Sequence, residues 1–121
     1  MQTPHRQHLG RLGERLAAAH FARLGFSDLA QNHHTRFGEL DLVLSDGRTL
    51  VFCEVKTRSG VGFGTPFEAV TQGKRRKLRR LGLLWLSENR VKAYPVVRFD
   101  VVGVLCLPGE PPRVEHRKQA F

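Results

Sequence analysis

Residues 38–58, GELDLVLSDGRTLVFCEVKTR, decide the fold. Two runs rich in Val, Leu and Phe, 39–44 and 49–57, flank Ser45-Asp46-Gly47-Arg48. Asp-Gly readily supplies the positive φ angles of a type I′ hairpin turn. Closing the hairpin there, or with a four-residue loop over 45–48, puts Leu44 opposite Thr49, Asp41 opposite Phe52 and Glu39 opposite Glu54. Strand alternation then gives Leu40, Leu42, Leu44, Val51, Cys53 and Val55 to a core face. The other face receives Glu39, Asp41, Val43, Phe52, Glu54, Lys56 and Arg58. Glu54 becomes the diagonal neighbour of Asp41, at roughly 7–8 Å between backbones, so three carboxylates and a lysine converge on one patch of sheet.

Carboxylates gathered in this way repel one another unless something neutralises them: a shared proton, the Lys56 and Arg58 cations, or a metal ion. Oxygen ligands without thiolate or imidazole suit a hard cation such as Mg²⁺ or Mn²⁺. Such an ion activates water and polarises a phosphoryl oxygen, while a nearby ammonium stabilises developing negative charge. The alternative is a solvated face of an antiparallel sheet with charged residues decorating it. Spacing alone leaves both readings open.

Outward from the hairpin, Leu9, Leu12, Leu16 and Ala19 form one helical stripe ending near Leu24, where Gly25 takes the left-handed position and Phe26 the hydrophobic contact. Residues 29–35 read weakly as a first strand. Beyond the hairpin, 59–64 is Gly-rich, and Thr65-Pro66-Phe67-Glu68 carries the marks of a capping box with proline at the first helical position. A longer helix spans about 73–89 and buries Leu78, Leu81 and Trp85. Residues 95–105 form another strand, and 113–121 a short edge strand. The expected fold class is α/β: a mixed central β-sheet flanked by helices, in one domain over residues 1–121 with 1–8 as a flexible tail.

The chain has 121 residues, with 20 Lys and Arg against 11 Asp and Glu, a formal net charge of +9. That surplus attracts polyanions, phosphate backbones first. No stretch reaches the roughly 20 apolar residues of a membrane span, and no secretory h-region opens the sequence; a cytoplasmic location without membrane association is expected. Cys53 and Cys106 are too few for a disulfide framework or a Cys-pair zinc site. Six of the eight residues 73–80 are Lys or Arg, and a basic run at a helix N-terminus can track a phosphate backbone. Lys74, Arg75, Arg76 and Lys77 are therefore candidate nucleic-acid contacts, with Arg58 and Arg36 as weaker ones. His33 and His34, adjacent on a strand, point to opposite faces and do not share an ion. Asp100, among apolar strand residues, is expected in a structural hydrogen bond or ion pair.

Gly13-Glu14, Gly38-Glu39-Leu40-Asp41 and Glu54-Val55-Lys56-Thr57-Arg58, in this order, resemble the PD-(D/E)xK nuclease superfamily. Within it the chain is similar to the YraN-like family of small bacterial proteins, related to Holliday-junction resolvases. The resemblance covers residues from about 10 to 102 and implies a restriction-endonuclease-like fold. It further implies that Asp41 and Glu54 ligate the metal, that Lys56 positions water or stabilises the transition state, and that Glu14 completes the site from the first helix. Leu40 stands where the superfamily's name has proline. The resulting expectation is a Mg²⁺- or Mn²⁺-dependent endonuclease acting on DNA rather than RNA, with branched or structured DNA as a candidate substrate. Cutting both strands takes two sites, which a homodimer would supply. The alternative is a non-catalytic nucleic-acid-binding module or a subunit of processing machinery.

Overall fold

The elements run α1 (Pro4–Arg23), β1 (Ser27–Thr35), β2 (Gly38–Ser45), β3 (Thr49–Arg58), α2 (Gln72–Glu88), β4 (Val96–Leu105) and β5 (Arg113–Arg117). They are seen in a computed structural model that describes residues 4–60, 67, 70–89 and 94–120. The five strands form one sheet in the order β1-β2-β3-β4-β5. β3 runs parallel to β4, and the other neighbours are antiparallel. The mixed sheet flanked by helices expected from the sequence is the architecture observed.

The hairpin forms with a wider loop than a type I′ turn. Asp46 Oδ1 accepts from the backbone N–H groups of Arg48 (3.0 Å) and Thr49 (2.7 Å), and the Asp46 N–H donates to the Thr49 carbonyl at 3.3 Å. A side chain that satisfies two loop donors favours this loop over the two-residue turn. Leu44 therefore lies opposite Val51, and Val43 opposite Phe52, two residues away from the expected register. Because the slip is even, the residues of this ladder, 42–45 and 50–53, keep their expected faces.

The expected division into a core face and a polar face is corrected in one respect: both faces are covered. Against α1, Leu42, Leu44, Val51, Cys53, Val55, Val102 and Val104 pack around Ala17 and Phe21. On the α2 side, Val43, Leu50, Phe52 and Val101 pack with Leu78, Leu81 and Trp85, the stripe read from the sequence. Trp85 meets Phe52 edge-on, with ring centroids 5.9 Å apart. Burying these apolar groups is worth roughly 25 cal/mol per Å² removed from water, the main stabilising contribution to such a sheet.

The α1 stripe is rotated from the expected one. Gly13, Ala17 and Phe21 are buried, Leu16 is half-buried and Ala19 is exposed. At Gly13 the helix touches β3 so closely that a Cβ would stand 1.9 Å from Thr57 Oγ1, so a glycine rather than a leucine makes this contact. The helix starts at Pro4 and takes in residues expected as a tail. It ends as expected: Gly25, at φ +91°, donates to the Ala22 carbonyl, and the Phe26 N–H donates to the Phe21 carbonyl. These are the two bonds of a Schellman motif.

The capping box at Thr65, Pro66 and Glu68 lies outside the described residues; Phe67 is buried in the α2 cluster. Thr71 caps α2 through its side chain, which accepts from the Lys74 N–H at 3.3 Å. Among the described residues no helix is long and apolar enough to cross a membrane.

Candidate functional site

At Asp41 the sheet opens. The β2–β3 ladder runs from Ser45 opposite Leu50 to Leu42 opposite Cys53. Beyond it the Val55 N–H donates to Asp41 Oδ2 at 2.8 Å instead of to a carbonyl. Here Leu40 joins the α2 cluster with Val43, whereas Leu42 belongs to the α1 cluster, so strict alternation breaks at this residue. The Asp41 carboxyl fills the fork between the two strands.

Glu14 reaches the same fork from α1, carried there by the close Gly13–Thr57 contact. Asn32 Nδ2 donates to Glu14 Oε2 at 2.7 Å, and Asn32 itself takes the left-handed backbone at φ +49°, a conformation asparagine tolerates better than most residues. Glu39 follows from β2. One carboxylate oxygen from each of Glu14, Glu39 and Asp41 lies within 4.8 Å of the others. Glu39 was read from the sequence as part of the acidic patch but not as a ligand. Across β1, His34 Nδ1 lies 3.6 Å from Glu39 Oε2.

Glu54 is 7% exposed, and its Oε1 lies 3.2 Å from both Lys56 Nζ and Lys74 Nζ. Lys74, expected to contact nucleic acid, thus leans from the first turn of α2 into the acidic site. Glu39, Asp41, Glu54, Lys74 and Lys77 line a cleft of about 410 Å³ between the fork and α2.

The electrostatics follow from this packing. Burial pushes the Asp41 carboxyl up to about 8, with the Glu54 charge adding to it, partly offset by the bond from the Val55 N–H. Burial also raises Glu14, against the hydrogen bond from Asn32. Burial and the neighbouring Lys74 hold Lys56 below the ordinary lysine range. Lys74 is pulled down by burial too, but contacts with Lys56 and Glu54 outweigh that and leave it raised. A half-buried set of carboxyls, one of which holds its proton near neutrality, is a site short of positive charge.

The remaining sequence candidates are spread out. Arg75 Nε turns back to the Val70 carbonyl at 3.2 Å, while Arg76 and Lys77 are exposed along α2. The Arg36 guanidinium sits 4.7 Å from the Phe37 ring centroid at the β1–β2 turn. Arg58 Nε is buried without a hydrogen-bond partner among the described residues. Asp100, fully buried, accepts from Arg98 Nε and Nη2, from the Gln119 N–H and, at 2.7 Å, pairs with His116 Nε2. It serves as a structural ion pair, as expected. Asn32 escaped the sequence reading; its one signal was a polar, turn-favouring residue in the middle of a strand.

Among solved structures, Hjc, a Holliday junction resolvase from the archaeal hyperthermophile Archaeoglobus fulgidus, is similar at TM-score 0.46 and 19% identity, over 87% of this chain and 74% of that one. Sequence relatives are far nearer. A UPF0102 protein of Acidothermus cellulolyticus is 48% identical over 96% of this chain and 95% of its own length. One of Nocardia farcinica is 50% identical over 96% and 91%, and one of Frankia alni 53% identical over 93% of each. The pattern of the uncharacterised protein family UPF0102 matches residues 13–104, which include every motif quoted above. The chain belongs to the uncharacterised protein family UPF0102, the YraN-like group that its motifs resemble.

Proposed function

We propose that the chain is a Mg²⁺- or Mn²⁺-dependent endonuclease that hydrolyses phosphodiester bonds in DNA, branched or structured DNA in particular. The observation that carries this reading is the meeting of Glu14, Glu39 and Asp41 oxygens within 4.8 Å. The donor set fits a hard cation: three carboxylates, no sulfur, a short span and a deficit of positive charge. Glu14, Glu39 and Asp41 would hold the ion, with Glu54 beside them. When bound, the ion supplies Lewis acidity toward a phosphoryl oxygen and lowers the pKa of water.

The chain's own groups complete the arrangement. Asn32 fixes the Glu14 carboxylate, and the Val55 N–H fixes Asp41. Lys74 keeps an ammonium group at the cleft wall and Lys56 holds a second one against Glu54, where they can pair with the charge of a phosphodiester in its transition state. Outside the cleft, Arg76 and Lys77 continue the positive surface along α2 for the flanking backbone, with Arg58 and Arg36 as further contacts. The proposal carries with it a cytoplasmic location and a homodimer for cutting both strands.

A second reading, a non-catalytic nucleic-acid-binding module, draws on one observation: Glu54 is already satisfied by two lysines. One experiment separates the two. Asp41→Ala abolishes Mn²⁺-dependent cleavage across branched, flapped, single-stranded and linear DNA while leaving DNA binding within about twofold, and calorimetric Mn²⁺ binding is lost with it. Cleavage by the variant at the wild-type rate removes the nuclease reading, and a wild type that binds no Mn²⁺ and cuts nothing leaves the binding module.

A further inference from the structure

The β1–β2 turn carries an aromatic ring with no apparent structural purpose. Phe37 is 58% exposed, although the turn beneath it is tightly built. Thr35 Oγ1 donates to the Gly38 carbonyl at 2.9 Å and accepts from the Phe37 N–H at 3.1 Å. The turn also presses on α2: a Cβ at Gly38 would stand 2.8 Å from Lys77 Cε. The ring is therefore held out by a firm base.

Beside it opens a groove of about 630 Å³, lined by Phe37, Arg76, Lys77, Arg80, Leu81 and Leu84 together with Gly73. Gly73, Lys77 and Leu81 also line the acidic cleft, so the two cavities adjoin. The described lining has three cations and no carboxylate, and Arg36 adds a fourth at the ring itself. Four positive side chains around one aromatic face, with no carboxylate in the described lining, make a surface that attracts anions. They suit a nucleotide, whose base offers a π-face and whose phosphates take the cations.

We propose that Phe37 is a stacking platform for an unpaired base, and that the groove between it and α2 receives the single-stranded nucleotide adjoining the bond in the acidic cleft. Inside a duplex both faces of each base are covered by neighbours, so it is a flap, an opened branch point or a single strand that presents a face to Phe37. Only the placement beside the scissile bond rests on the nuclease reading; base capture stands without it.

The test is binding in chelator, where no cleavage occurs, using fluorescein-labelled DNA with a single-stranded flap and a blunt duplex of equal length. Phe37→Ala weakens flap binding roughly tenfold, the order of one lost base–aromatic stack, and leaves duplex binding within twofold. Phe37→Trp retains the flap preference. A 2-aminopurine placed in the flap is quenched by the wild type and by Phe37→Trp but not by Phe37→Ala, and the salt slope is unchanged because no charge is removed. Equal weakening on flap and duplex overturns the proposal, as does unaltered quenching. So does a dimer that becomes a monomer on Phe37→Ala in sedimentation, which would make the ring a contact between copies. Failure of the wild type to cleave with Mn²⁺ restored sinks the nuclease reading and leaves base stacking intact; a wild type that cleaves but binds flap and blunt duplex equally does the reverse.

Discussion

Asp41 accepts a backbone N–H while burial pushes its pKa up to about 8, from an ordinary value near 3.8. The folded protein then holds a proton at pH values where the unfolded chain has lost it. That contribution to stability is complete below about pH 4 and is lost as the pH rises through about 8. In chelator, Asp41→Asn should melt progressively higher than wild type as the pH is raised from 4 to 9; a constant difference across that range would show that Asp41 is ionised throughout. Asp41, Glu54 and Lys56 could be picked from the sequence because an even register slip preserves which face a residue occupies. Glu14 could not, since only a resemblance singled it out among solvated helical acids. Asn32 and the lean of Lys74 into Glu54 depend on how three separate elements meet, and nothing local in either residue announces it.

Between elements, the closest approach is that of α1 to β3 at Gly13. Gly13→Ala places a Cβ 1.9 Å from Thr57 Oγ1, so helix or strand must shift. Overpacking of this kind costs about 1–3 kcal/mol and moves Glu14 with it. Urea unfolding should show the loss, cleavage should fall with it, and Thr57→Ala in the same chain should recover part of both. A fully stable Gly13→Ala would mean that α1 does not pack this closely on β3. The α1 stripe was misread for the same reason: periodicity looks for large apolar residues, whereas this contact is made by the smallest one.

The second joint ties β4 to β5 and to α1. Asp100 is held below the ordinary aspartate range because hydrogen bonds from His116, Arg98 and the Gln119 N–H outweigh its burial. His116 Nδ1 in turn lies 3.0 Å from His20 Nε2 on α1. Asp100→Ala leaves buried partners unpaired and should cost about 3 kcal/mol in urea unfolding. The stability that Asp100 supplies is present above about pH 4 and lost as acid carries the pH down through its lowered pKa. An equal cost for the substitution at pH 3 and pH 7 would contradict that assignment.

For the molecule as a whole, the +9 charge is a statement about long-range attraction, and the structure decides which charges face outward. Lys74 and Arg75 are engaged with Glu54 and with the Val70 carbonyl, whereas Arg76, Arg79 and Arg80 are exposed. Neutralising those three to Gln should lower the slope of log affinity against log salt by roughly 2–3, near 0.7–0.9 per phosphate contact. An unchanged slope would move the binding face off α2. The basic run could be read directly from composition, but its division into inward and outward members could not, because it depends on where the sheet lies beneath the helix.

Trp85 is the chain's one tryptophan. Seated edge-on against Phe52, it gives α2 an intrinsic fluorophore whose emission reddens when the helix lifts from the sheet and water reaches the indole. Stopped-flow mixing with DNA or metal can therefore report any movement of that helix without a label, in the unmodified molecule.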